Sequence, residues 1–171
     1  MDDSLAELFD GAINLELKVG GLYALFQQHL LPDQDFWGQL ALEEKKHAAL
    51  LMSCRDVSMA LWQFPAGLLP KFPRILYDGN SRIQTLIDKF SLTPPDRVLA
   101  FTTALELENS AGELHYQLAM TRPADSSLMK IFQELNNGDR DHYRRIKKYM
   151  EENAISTASY QEAAGNTVAG A

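Results

Sequence analysis

Apolar residues recur at helical spacing through four long stretches of this chain, with prolines and glycines gathered between them. In the first stretch Leu5, Leu8, Phe9, Ala12, Val19, Tyr23 and Phe26 share one stripe. Ser4 and Glu7 have the spacing of a capping box at its start, and Leu31-Pro32 stops it. A second helix, capped by Asp33, is predicted to run to about Cys54 or on to Trp62, before Pro65, Gly67, Pro70 and Pro73 break the pattern. Residues 55–92 read as a long connection holding one short helix, roughly Ser81 to Phe90. Thr93-Pro94-Pro95-Asp96 opens a third helix, with proline at its first position, which runs to about Met120. Its face carries Phe101, Ala104, Leu105, Glu108, Ala111, Gly112, His115 and Ala119. The fourth begins at Asp125 or Ser126, ends near Glu152, and lines up Leu128, Ile131, Phe132, Leu135, Asp139, His142, Ile146 and Tyr149. The expected fold is all-α: two antiparallel helix hairpins joined by a crossover long enough to travel the bundle, roughly 40 Å at ~1.5 Å per residue. Residues 4–152 form the predicted bundle, and 153–171, small and polar, a flexible tail.

Charged residues interrupt these apolar stripes at matching places. Glu44 and His47, three apart, stack on one helix face together with Trp37, Leu40, Ala48 and Leu51. Glu16, Glu108, Asp139 and His142 fall on the inward stripes of the other helices. Burying such groups is costly unless they are paired or bind a metal. The chain also repeats itself. Residues 12–23 lie over 104–115, with Ala, Leu, Glu, Gly and Leu coinciding and Glu16 falling on Glu108. The second helix of each pair matches too: Leu40 on Leu135, Glu44 on Asp139, His47 on His142. Four carboxylates offset the formal charge of two adjacent divalent cations, and two imidazoles complete coordination suited to iron or manganese.

With Glu16 and Tyr23, Glu44-Lys45-Lys46-His47-Ala48, Glu108 and Asp139-x-x-His142, the chain resembles the ferritin-like superfamily, in particular its rubrerythrin-like di-iron branch. The resemblance covers roughly residues 4–152. It implies a cofactor of two iron ions, with manganese or zinc as alternatives. Glu16 and Glu108 would be terminal ligands, Glu44 and Asp139 bridging ones, and His47 and His142 would serve one metal each. Tyr23 would donate a hydrogen bond to a ligand carboxylate; its repeat partner is His115, or Tyr116 after a slight rotation of the helix. The implied activity is an oxidoreductase acting on O2 or peroxide, or a ferroxidase. Three features depart from the family pattern. Asp139 stands where glutamate is usual, withdrawing the carboxylate by one bond, ~1.5 Å. Ala111 occupies a position that often carries an extra glutamate. The four-cysteine rubredoxin domain is missing, so electrons would come from an external donor. Asp139 and the missing domain also motivate a second, non-enzymatic reading: a ferritin-like scaffold with a degraded, single-metal or empty site.

Composition narrows the partners. The formal net charge of −7 argues against nucleic acid or an anionic membrane and suits a bound cation. No apolar run is long enough to span a bilayer, Met1-Asp2-Asp3-Ser4 reads as an ordinary start, and cytoplasm is the default compartment. The lone cysteine, Cys54, excludes a disulfide framework and reads as a small buried residue. A homodimer is expected in preference to a cage, because no fifth helix follows the bundle. Glu43, Glu106 and Glu113 are expected on solvated faces, and His29 to complement the end of the first helix. Trp37, Trp62, Phe64 and Phe72 are expected in packing. Arg140, Arg144, Arg145, Lys147 and Lys148 form a basic face suited to a helix C-terminus.

Overall fold

Apolar stripes of this length can be buried only against one another, and the described chain is helical almost throughout. The computed structural model describes residues 3–61, 68–70, 73–115, 123 and 126–156, apart from the side chains of 3, 4, 59–61, 110–115 and 139. Over these residues there are five α-helices and no strand: α1 (Asp3–His29), α2 (Gln34–Leu61), α3 (Pro73–Leu92), α4 (Arg97–His115) and α5 (Ser127–Glu152). A 3-10 turn, Leu31–Asp33, joins α1 to α2.

Contacts give the helix directions. Gln27 lies against Gly38, Gly20 against Ala41 and Glu44, and Asp10 against Arg55, so α1 and α2 are antiparallel. Phe101 meets Tyr149 and Glu108 meets His142, so α4 and α5 are antiparallel as well. Between the two pairs, α3 runs beside α1 in the same direction, with Gly11 against Leu76, Leu15 against Gly79 and Phe26 against Phe90. The connection therefore carries a helix of 20 residues, not the short Ser81–Phe90 segment. Its buried residues Leu76, Ile83 and Phe90 recur every seven positions, and Asn80 fastens it through a 2.8 Å bond to the Gly11 carbonyl.

Other boundaries have local causes. Asp96, not Thr93, caps α4: its carboxylate accepts the Leu99 N–H at 2.8 Å, and the prolines lie ahead of the helix. Ser126 caps α5 by accepting from Met129 N. At the other end of α5, Ala154 has φ 53°, and Ile155 N–H bonds to Met150 O at 2.9 Å, which buries Ile155. Residue Asp3 already belongs to α1, and the Ser4 side chain lies outside the described residues, as do 157–171, Trp62, Phe64 and Phe72.

A layer of rings closes one end of the molecule. Phe26 of α1, Phe36 and Trp37 of α2, Phe101 of α4 and Tyr149 of α5 meet at centroid separations of 4.2–5.7 Å. Above it, the buried Asp33 carboxylate takes two bonds from Arg97, at 2.8 and 2.6 Å, and one from Tyr149 Oη at 2.9 Å. Asp33 is thus a tertiary clasp, not the α2 cap expected of it. Below the layer lies a second set of ionisable groups, offset by seven residues on three helices: Trp37 to Glu44, Phe101 to Glu108, Tyr149 to His142. Seven residues is about 10 Å of helix.

Candidate metal centre

Five of the six residues expected as metal ligands come together here, each buried: Glu16 of α1, Glu44 and His47 of α2, Glu108 of α4 and His142 of α5. The backbone of Asp139 lies one turn before His142 on α5, but its side chain is outside the described residues, as is that of His115. Glu44 stands between the two histidines. Its Oε2 is 3.3 Å from His47 Nδ1 and its Oε1 is 2.9 Å from His142 Nδ1. Glu16 adds an oxygen 3.6 Å from His47 Nδ1, and Glu108 one 3.6 Å from His142 Nδ1. The imidazole rings lie nearly parallel, with centroids 5.2 Å apart. Tyr23, fully buried, donates to Glu108 Oε1 at 2.5 Å.

The small residues that permit this approach are on the helices themselves. Gly20 lets α1 close on α2, since a Cβ there would lie 3.1 Å from Glu44 Cβ and 3.2 Å from Ala41 O. Gly138 is more demanding: a Cβ would fall 2.6 Å from His47 Nε2. The His47 ring is laid directly on the α5 backbone.

Glu43 departs from expectation. It is half-buried, with Oε2 3.0 Å from His142 Nε2 and 2.8 Å from an Arg145 guanidinium nitrogen. Gln39 Nε2 donates to its other oxygen at 3.1 Å. A carboxylate at Nε2 holds a proton there, which leaves Nδ1 as the nitrogen aimed at Glu44 and Glu108. Arg145, predicted on a free basic face, is occupied with this carboxylate and with Asp141; Arg140, Arg144, Lys147 and Lys148 remain exposed. The one trace of Glu43 in the sequence is its position beside Glu44, about 100° around the helix and hence at the seam with α5.

The electrostatics reflect burial. Desolvation pushes the Glu44 carboxyl up to about 7, against the pull of His142 and His47. Burial alone would lower both histidines. The carboxylates of Glu16 and Glu44 outweigh it and hold His47 at about 10, and those of Glu108 and Glu44 hold His142 at about 11. Glu43 is lowered: burial would raise it, but Gln39, Arg145 and His142 more than offset that. Among the described residues His142 Nδ1 is buried without a hydrogen bond, despite an oxygen 2.9 Å away. Ligand atoms of Glu44, His47 and His142 all lie within 4.8 Å of one another. Buried imidazole nitrogens facing carboxylate oxygens are a donor set for iron, manganese or zinc, so the residues fit a metal.

The remaining expectations are structural. Cys54 is a buried thiol, pushed up to about 11 by desolvation, and Trp37 lies in the core. His29 is exposed in the last turn of α1, and Glu106 is exposed beside Arg82 at 3.6 Å. Glu113 lies outside the described side chains. No described helix is long and apolar enough to cross a membrane. The chain matches no protein-family model, no curated protein and no solved structure.

Proposed function

We propose that this chain is a ferritin-like bundle whose buried centre holds two cations, iron or manganese, and acts on O2 or peroxide as an oxidoreductase or ferroxidase. The observation that carries this reading is the split of Glu44, with one carboxylate oxygen towards each histidine. Glu16 and His47 would hold one cation, Glu108 and His142 the other, with Glu44 shared between them. Asp139, one turn from His142, would supply the remaining bridge. The antiparallel pairs α1–α2 and α4–α5, linked along α3, support the ferritin-like arrangement. A metal pair of this kind supplies two one-electron couples, enough for two-electron reduction of an O–O bond.

The chain's own residues do the rest. Tyr23 pins Glu108 Oε1, the oxygen 3.6 Å from His142 Nδ1, and so fixes how that carboxylate faces the centre. Glu43 keeps a proton on His142 Nε2 and its Nδ1 turned inward. Burial excludes water, which strengthens every charge interaction in the centre. Electrons would come from a donor outside these 171 residues, whose one cysteine cannot build a four-cysteine iron site.

One observation favours a second reading, a non-enzymatic site for a single ion such as zinc: three ligand atoms within 4.8 Å suit one tetrahedral cation. Anaerobic titration with Fe(II), Mn(II) and Zn(II), followed by metal analysis, separates the two. Two equivalents of Fe(II) per chain, with O2 consumed on exposure to air and both lost in Glu44→Ala, support the di-metal reading. One equivalent supports the single ion, and none overturns both.

A further inference from the structure

The internal repeat is broken at one place that matters in three dimensions. The register that lays Glu44 on Asp139 and His47 on His142 also lays Glu43 on Gly138. Glu43 stands at the outer edge of His142, braced by Arg145. Gly138 stands at the outer edge of His47, where no side chain would fit. The consequence is visible in accessibility: the His142 side chain is 2% exposed and that of His47 11%.

A groove of about 710 Å³ between α2 and α5 opens at this point. His47 and Gly138 form its floor, Ala49 and Leu50 its apolar lining, and Ser53 and Asn137 its outer rim. Glu43 also borders it, between the groove and His142. The groove of similar size between α1 and α3, about 640 Å³, touches no residue of the centre. Lys46 and Glu134 also border the groove, but most of its wall surface is apolar, which suits a small neutral molecule.

We infer that the α2–α5 groove is the route by which a dioxygen-sized neutral reactant reaches the centre, arriving past Leu50 at the exposed part of the His47 ring, while the Glu43–Arg145 pair closes the His142 side. This rests on the reading that the centre handles O2 or peroxide, yet the route can be tested without metal. Dissolved O2 is paramagnetic and speeds the relaxation of the protons it visits. With metal-free protein under O2 pressure, NMR relaxation is expected to be enhanced severalfold more at the His47 ring and the Leu50 methyls than at the His142 ring. Asn137→Trp, an exposed position on the rim, should remove most of the His47 enhancement. Ser53→Trp should do the same by a second route, and Gln84→Trp in the α1–α3 groove should leave it unchanged. Equal enhancement at both histidines, or a His47 signal untouched by both rim variants, overturns the route. A chain that binds no metal but shows the asymmetric O2 profile would sink the proposed function and leave the passage standing.

Discussion

Two buried acidic clusters lie on either side of the ring layer, and they satisfy their charge in opposite ways. Asp33 is wholly buried, and Arg97 meets it with a permanent, bidentate cation while Tyr149 fills in. Nothing further is required. The lower cluster sets three carboxylates against two imidazoles, with N···O separations of 2.9–3.6 Å and one buried nitrogen left without a hydrogen bond. Among the described residues its internal cations are the two titratable imidazoles. A clasp that stabilises a fold brings its own counter-charge, whereas a centre that binds cations keeps its positive charge replaceable.

Removing the counter-charge on each side gives the largest expected contrast. Arg97→Met strands a buried carboxylate and should lower unfolding stability by about 3–5 kcal/mol in urea titrations. Glu44→Gln in metal-free protein removes a carboxyl that desolvation already pushes to about 7, and should be near neutral or stabilising. Equal losses would mean that both clusters are structural.

The next effect is on pH. Cations must displace imidazole protons held at about 10 and 11, so uptake near neutral pH should release protons and tighten as pH rises, about tenfold per pH unit for each proton displaced. Calorimetry in buffers of different ionisation enthalpy measures the release. The metal-free fold should behave in the opposite sense. The stability contributed by the raised histidines is complete below about 6.5 and disappears as pH rises through about 10 and 11. The raised Glu44 adds a cost that grows from 4.5 to about 7. The Tm of metal-free protein should therefore fall from mildly acidic pH upward, and bound cation should reverse the slope. A flat metal-free profile would count against the replaceable-charge view.

A smaller test concerns one half of the centre. Glu43→Gln should weaken one cation site by about 10–100-fold in titration while leaving the other, and the Asp33 clasp, unchanged. Loss at both sites alike would deny Glu43 its specific hold on His142. Smallest is a reference outside both clusters: Ala154→Gly relieves the positive φ after α5 and should add about 1 kcal/mol of stability without altering metal uptake.

Glu16, Glu44, His47, Glu108 and His142 were legible because each sits on an apolar stripe of period 3.6, where a charge is conspicuous. Tyr23 was singled out only by the resemblance to the di-iron bundles. What stayed hidden depends on chain-distant neighbours. Asp33 has the local look of a cap, and only Arg97, 64 residues on, converts it to a clasp. Glu43 looks solvated until α5 brings His142 and Arg145 to it. The extent of α3 was masked by Pro73, which reads as a breaker although proline is tolerated in a first turn. Gly138 carried no signal except its mismatch with Glu43 in the repeat.

The ring layer has one more consequence. Phe26, Trp37, Phe101 and Tyr149 offer no chain of hydroxyls or carboxylates across their end of the molecule, and the Trp37 indole N–H has no hydrogen-bond partner among the described residues. Among the described residues these rings offer a proton expelled from His47 or His142 no side-chain relay in that direction, so the interior behaves as a vessel stoppered at one mouth.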